Sequence, residues 1–433
     1  MIRFALPMLI GSIIQQLYST VDAWVVGNYV NNEAFSAVGS VTPIINSLIG
    51  FFTGLASGTG VVVARFFGAD DKNSIDSAVH TASAITLVLV ILFSIFGIIL
   101  TPTALHLTNT PDTVFPEAKV YLQIYFSGIA GLLIYNMGAG ILRAIGNSLQ
   151  PFLFLIVSTV TNIILDLFFV IGLHLGIRGV AYATIIAQGM SALMIITVFC
   201  RRRSYVRLSA RKIRIDPSML KSIIHISIPM AIQSSVTAFS NMFVQAYINS
   251  FGTFCMGGWA VYNKLDQFMI LPTQAMGFAT TTFVSQNLGA KKTVRAKRGT
   301  VIALIISMLT TFIVLVPVWV YAKSLVMLFN KNERIIYYGI LLLRVNCPFL
   351  LVHAISPVMQ GTLRGAGESR HSMIICLSCY VLFRQIYLYI VNRFLPGHFI
   401  VIALGYPVGW VMCSICITAY YLYNRKRLLG EAE

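Results

Sequence analysis

The chain has 433 residues, of which 57% are apolar and 10% charged, and its mean hydropathy is +0.81. A soluble globular chain carries about 25% charged residues, so a water-soluble enzyme is excluded and a polytopic membrane protein is implied. Lys and Arg number 31 against 14 Asp and Glu, a net charge of +17. In a soluble protein that excess would point to nucleic acid; here topology accounts for it, and no nucleic-acid partner is expected.

Apolar stretches of roughly 20 residues or more, enough to cross a hydrocarbon core, follow one another along the chain. The first, about Phe4 to Tyr29, is too long for a signal-peptide core and holds Gln15, Gln16 and Asp22, so it reads as a retained helix. Pro7 removes a backbone donor near its start and can kink it. The second, Ser36 to Ala64, carries Gly50, Gly54 and Gly58 at intervals of four, a face suited to close helix contact. Asp70, Asp71 and Asp76 precede or open the third, Ser77 to Ala104, where acids near a helix start are favoured. Pro116 to Ile141, Leu149 to Leu173 and Gly176 to Cys200 complete six. After a short basic segment come Ser222 to Ser250, Cys255 to Ser285, Arg298 to Ala322, Arg334 to Gly361, His371 to Leu395 and His398 to Tyr423. The fold class is therefore all-α, with twelve transmembrane helices.

The cations test the orientation, because cytoplasmic loops hold the excess Lys and Arg. One side gathers Arg3, Arg65, Lys72, Arg143, the run from Arg201 to Arg214, Lys221, the run from Lys291 to Arg298, Arg364, Arg370 and Arg425 to Arg427. The other holds only Lys119, Arg178, Lys323, Lys331, Arg334 and Arg393. Both termini are predicted to be cytoplasmic, in a multi-pass protein of the cytoplasmic (inner) membrane. Seven cysteines cannot all pair. Cys376 with Cys379 and Cys413 with Cys416 lie in apolar helices, where a thiol is a small hydrophobe rather than a zinc ligand.

The sequence matches itself at an offset of 221 or 222 residues: Leu6-Pro7-Met8 with Ile228-Pro229-Met230, Gly68-Ala69 with Gly289-Ala290, and Leu142-Arg143-x-x-Gly146 with Leu363-Arg364-x-x-Gly367. This predicts an N-terminal six-helix lobe (1–200), a basic cytoplasmic linker (201–221) and a C-terminal six-helix lobe (222–433). Six helices per copy relate the two by an axis along the membrane normal. Parallel repeats of this kind are typical of alternating-access transporters, with the substrate path between the halves.

An ionisable residue in a membrane helix is a functional hypothesis by default. In the first half these are Asp22 on the first helix and Asp166 on the fifth. Gln15, Tyr18 and Asp22 fall within about 60° on a helical wheel. Asn162 and Asp166 are one turn apart, and Thr184 on the sixth helix adds a hydroxyl. Oxygen ligands suit a hard cation, so Asp22, Asn162 and Asp166 form a candidate Na⁺ site. Two close carboxylates also resist double ionisation, so H⁺ serves equally. The second half does not copy these acids: Asp22 corresponds to Phe243 or Val244 and Asp166 to Tyr387. It offers Lys264, Asp266, Arg344, His353 and Arg384 instead. Asp266 is expected to pair with Arg384 structurally, and His353 reads as a satisfied core histidine or a proton shuttle. No G-x-x-x-x-G-K-[ST], H-E-x-x-H or G-x-S-x-G occurs. The chain is thus expected to be no enzyme and to need no cofactor, and an ion gradient must supply the work.

The two L-R-x-x-G ends, the Pro7-to-Asp22 first helix and Asn162-Ile-Ile-Leu-Asp166 together resemble the multidrug and toxic compound extrusion (MATE) family, in particular its DinF-like branch, over essentially the whole chain. The resemblance implies two six-helix lobes in a V, exchanging Na⁺ or H⁺ for organic, often cationic, drugs. It implies a cation site in the first lobe, its pattern met by Tyr18, Asp22, Asn162, Asp166 and Thr184. Gln15, Tyr121, Pro7 and Asn136 are assigned to the substrate cavity or its gating, and Pro7 would bend the first helix when Asp22 changes protonation. The NorM-like branch carries acids on helices seven and ten. Helix seven has none here and the helix-ten position holds His353, so a second-lobe cation site is not expected. The expected function is a cation-coupled multidrug antiporter acting as a monomer on small organic substrates in the bilayer. The alternative is a flippase of lipid-linked oligosaccharides or lipids from the same superfamily, which would need clustered cations in its cavity.

Overall fold

The computed structural model describes residues 1–433 except 109, 202–205, 396 and 430–433, and omits the side chains of Ser19, Ala23 and Asn32. Arg202 and Arg203 of the expected linker lie outside the described residues. All regular structure among the described residues is helical. In chain order the helices are α1 (Ile2–Tyr29), α2 (Asn32–Gly68), α3 (Lys72–Leu107), α4 (Phe115–Ser127), α5 (Ile129–Ala144), α6 (Leu149–Leu167), α7 (Ile177–Cys200), α8 (Pro217–Asn249), α9 (Thr253–Gly289), α10 (Thr293–Val320), α11 (Ala322–Phe329), α12 (Glu333–His353), α13 (Ile355–Gly365), α14 (Ser369–Leu377), α15 (Arg384–Phe394), α16 (Phe399–Ala403) and α17 (Gly405–Leu429). Ten spans among the described residues are long and apolar enough to cross a membrane, and α4 with α5, bent by 50° at Gly128, makes an eleventh. The remaining expected span falls on α9, 37 residues long, whose middle carries Asn263, Lys264, Asp266 and Gln267 and which is not among the helices apolar enough to cross.

The packing divides the chain into two units, Leu6–Ala231 and Met1–Ala5 with Ile232–Glu433. The division falls inside α8, and segment 201–221 belongs to the first unit. That unit's core joins Val63 of α2, Ile141 and Leu142 of α5, Ile195 of α7 and Ile223 and Met230 of α8. Gly54 lets α8 approach α2: a Cβ there would come within 2.6 Å of the Ala231 Cα and the Met230 carbonyl oxygen. The glycine face of α2 is thus a packing surface. In the second unit, Trp259 and Tyr262 of α9, Leu343 and Leu350 of α12, and Cys413 and Ile417 of α17 share a core.

The repeated sequence signals are helix endings. After α5, Gly146 (φ +87°) donates its N–H to the Arg143 carbonyl at 2.9 Å, and Asn147 donates to the Leu142 carbonyl at 2.9 Å. After α13, Gly367 (φ +95°) and Glu368 donate to the Arg364 and Leu363 carbonyls at 3.0 and 2.9 Å. This is the Schellman pattern, whose left-handed residue is most easily a glycine. Close approach repeats as well. A Cβ on Gly140 would sit 2.6 Å from the Ala56 carbonyl oxygen, and its counterpart Gly361 faces the Gly277 carbonyl oxygen in the same way.

The basic segment before α8 is docked on the start of α3. The Ser209 N–H donates to His80 Nε2 at 3.1 Å, Lys212 Nζ meets Asp76 Oδ2 at 3.0 Å, and the Asp216 N–H donates to Thr81 Oγ1 at 3.2 Å. Asp216 in turn accepts from Ser218 Oγ (2.6 Å), Met219 N (3.3 Å), Ser77 Oγ (3.0 Å) and Ser218 N (2.9 Å), capping α8. These donors hold its carboxyl at about 2, below the usual carboxylate range.

Candidate functional site

Four helices of the first unit bring polar side chains together. Asp22 follows Tyr18 by one turn on α1, and Asp166 follows Asn162 by one turn on α6, so each pair shares a helix face. A π-helical turn, Phe168–Gly172, begins two residues after Asp166; such turns are frequent at functional sites. Thr184 comes from α7, and Tyr121 and Tyr125 come from α4. Asn162 and Asp166 have no exposed surface, and Asp22 is 8% exposed.

The amide of Asn162 joins the two acids. With its nitrogen turned toward them, Nδ2 donates to Asp22 Oδ1 and to Asp166 Oδ2, each at 3.0 Å. Among the described residues, Asp166 Oδ1 is buried with no hydrogen-bond partner. The hydroxyl of Thr184 donates to the Val180 carbonyl at 3.0 Å, so across the 3.3 Å contact Tyr18 Oη is the donor to Thr184 Oγ1. Tyr18 and Tyr121 both lie within electrostatic reach of Asp22 and Asp166. Among the described residues no Lys, Arg or His forms an ion pair with either acid. Two adjacent buried carboxylates without a cationic side chain need an outside positive charge, because unpaired buried charge is costly. Among the described residues, no three His, Cys, Asp or Glu are arranged to hold a metal. The donor set, carboxylate, amide and hydroxyl oxygen, fits a proton or a hard monovalent cation.

The remaining first-half candidates lie as follows. Gln15 is exposed, Pro7 is half-buried within an α1 that runs on without a break, and Tyr121 is 5% exposed. Asn136 donates to the Leu132 carbonyl at 2.9 Å and accepts from Thr53 Oγ1 at 3.4 Å, which ties α5 to α2. Sequence reasoning missed Tyr125, buried one turn beyond Tyr121 with its hydroxyl unpartnered. Its spacing from Tyr121 was the available signal.

In the second unit the expected Asp266–Arg384 ion pair is absent among the described residues. Asp266 accepts from Tyr262 Oη, one turn earlier on α9, at 3.1 Å. Arg384 donates to Ser240 Oγ (2.8 Å) and Asn241 Oδ1 (3.0 Å), and its guanidinium lies 4.9 Å from the Tyr406 ring. Neutral acceptors and an aromatic face surround the arginine without an acid, and its Nε is buried with no hydrogen-bond partner among the described residues. His353 packs 5.1 Å from the Trp410 ring and its Nδ1 has no partner, so it is not fully satisfied. Cys376 and Cys413 approach at 3.7 Å as free thiols within that core.

The chain is similar to known proteins in family, in sequence and in fold. A family profile described as MatE matches residues 7–168 and again 229–390, once in each half. A Bacillus subtilis (strain 168) protein described as "Probable multidrug resistance protein YpnP" is 27% identical over 429 residues, covering 99% of this chain and 96% of its own. "Multidrug export protein MepA" of Staphylococcus haemolyticus (strain JCSC1435) is 24% identical over 381 residues, covering 87% and 83%. A solved structure titled as the outward-facing conformation of a multidrug resistance MATE family transporter of the MOP superfamily superposes with a TM-score of 0.92 at 23% identity, over 100% of this chain and 96% of that one. That last likeness is one of fold.

Proposed function

The chain belongs to the MatE family of multi-pass membrane transporters, and from that premise we propose that it is a cation-coupled antiporter exporting small amphipathic, mostly cationic organic compounds. Asp22, Asn162 and Asp166 act as one cation site. When H⁺ or Na⁺ binds there, the two carboxylates lose their mutual repulsion and Asn162 holds them together. When the ion leaves, the excess negative charge must be relieved by movement of α1, which carries Asp22 and Tyr18, or by entry of a cationic substrate. Pro7, Gln15, Tyr121 and Asn136 are assigned to the cavity or its gating. The one-sided placement of the acids supports the DinF-like branch. The names of two relatives, a probable multidrug resistance protein (YpnP) and a multidrug export protein (MepA), support the substrate class. The protein works as a monomer in the cytoplasmic membrane with both termini inside.

The single observation that carries this reading is the bridging of two buried, cation-free carboxylates by one amide. The test is ethidium efflux from proteoliposomes under an imposed pH gradient and then an imposed Na⁺ gradient. Wild type is expected to respond to one of them, and Asp22→Asn to lose at least about tenfold in rate, a loss of about 1.4 kcal/mol or more in coupling. Wild-type efflux from Asp22→Asn would remove the proposal.

A further inference from the structure

In the second unit, the turn from α9 to α10 and the first residues of the chain line an open cavity of about 940 Å³. Five cations line it: Arg3, Lys291 and Lys292 from the turn, and Arg295 and Arg298 from the first two turns of α10. No acid lines it, and among the described residues none of the five forms an ion pair. Apolar side chains line the cavity too, among them Val294 and Ile302 of α10, 59% and 51% exposed. Beyond Ile302 the outer face of α10 continues as an aliphatic row, Ile305, Leu309 and Ile313, each more than half exposed.

The internal repeat shows what this place lacks. Lys291 and Lys292 correspond to Asp70 and Asp71, and the backbone is the same, with φ +54° at Asp70 and +55° at Lys291. In the first copy, Asp71 caps α3 by accepting from the Ser74 N–H at 3.0 Å and Ser74 Oγ at 2.6 Å. In the second copy, Lys292 stands at the cap of α10 with no side chain accepting from the helix, and Arg295 and Arg298 replace Ser74 and Ser77. The turn is kept while the carboxylate is exchanged for cations. Open helix amides and five cations without an acid partner, of which Arg295 also lies 5.9 Å from the Phe283 ring, call for an anion from outside.

We propose that this cavity binds the phosphate headgroup of an anionic membrane phospholipid, whose acyl chains lie along the aliphatic row of α10. Basic pockets at the membrane face recognise such headgroups. A free phosphate shares the headgroup chemistry, but it has no use for Ile302, Ile305, Leu309 and Ile313. The inference does not depend on the transport reading, since none of these residues belongs to the Asp22 cluster.

The test is native mass spectrometry of the full-length protein in detergent, titrated in turn with phosphatidylglycerol, phosphatidylcholine and inorganic phosphate. Phosphatidylglycerol should bind saturably and at least tenfold more tightly than phosphatidylcholine, and equimolar inorganic phosphate should not displace it. The combined variant Lys291→Gln, Lys292→Gln, Arg295→Gln, Arg298→Gln should lose at least tenfold in phosphatidylglycerol binding. Equal binding of both lipids, displacement by phosphate, or undiminished binding by the variant would overturn the proposal. Should that variant fail to fold, Lys292→Asp decides: it restores the cap that α3 has. It should keep its thermal midpoint without lipid and lose the rise that phosphatidylglycerol gives wild type, and a rise equal to that of wild type would count against the site.

Discussion

The cation cluster of the first unit is built from residues whose partners are few and specific, and the exceptions are informative. Among the described residues Tyr125 buries a hydroxyl with no partner at hydrogen-bond geometry, although the Gln188 side chain, its Oε1 likewise unpartnered, stands near it. An unsatisfied buried polar group is a cost that an isosteric apolar side chain avoids. Tyr125→Phe should therefore leave thermal stability unchanged or raise it by about 1 kcal/mol, read as an equal or higher Tm; a clear drop would mean that the hydroxyl has a partner in the membrane-embedded protein. Asp216 is the opposite case, an acid with four donors whose carboxyl is held at about 2. A carboxyl depressed in the folded protein stabilises above its ordinary value and loses that contribution as pH falls through the lower one. The Tm gap between wild type and Asp216→Ala should be full near neutral pH and shrink from about pH 4 downward toward about pH 2. A gap independent of pH would contradict the capping role. Asp22 and Asp166 were legible in the sequence because charge inside an apolar helix stands out. Tyr125 was not, because an aromatic side chain in a membrane helix looks like core whether or not its hydroxyl is placed for use.

Elements follow from periodicity and punctuation, and so do their failures. The twelve apolar runs and the Gly and Pro anchors of the repeat were readable because a span needs length and a Schellman turn needs a left-handed residue. The break between α4 and α5 was not, since Gly128 interrupts an otherwise apolar run with no proline to announce it. The Asp266–Arg384 pairing failed for a related reason. Spacing along one helix is written in the sequence, as with Tyr262 and Asp266, but the rotation of α9 against α15 is not. Where two copies of one element pack alike, single changes should act alike. Gly140→Ala and Gly361→Ala each force a methyl group onto a facing carbonyl oxygen. Each should cost about 1–3 kcal/mol, measured by thermal unfolding in detergent; a neutral result at both would show that α2 against α5, and α9 against α13, are loosely packed.

At the scale of the whole molecule, one ancestral pattern has been used twice and specialised differently in each copy. The helix ends and glycine contacts persist in both halves. The acids of α1 and α6 have no counterpart in the second half, where Phe243 and Tyr387 stand. The turn before α10 has exchanged the aspartates of its partner turn for lysines. The half that holds the two buried carboxylates thereby differs from the half in which Arg384 meets neutral acceptors beside an aromatic cluster. A single ion site of two carboxylates should behave as a unit, so that removing either acid does as much as removing both. The most direct measurement is gradient-driven efflux from proteoliposomes holding Asp22→Asn, Asp166→Asn or the double variant, at matched protein density. The account predicts that each single variant falls to the same residual rate as the double; single variants that each keep a substantial coupled rate, with losses that add in the double, would contradict it.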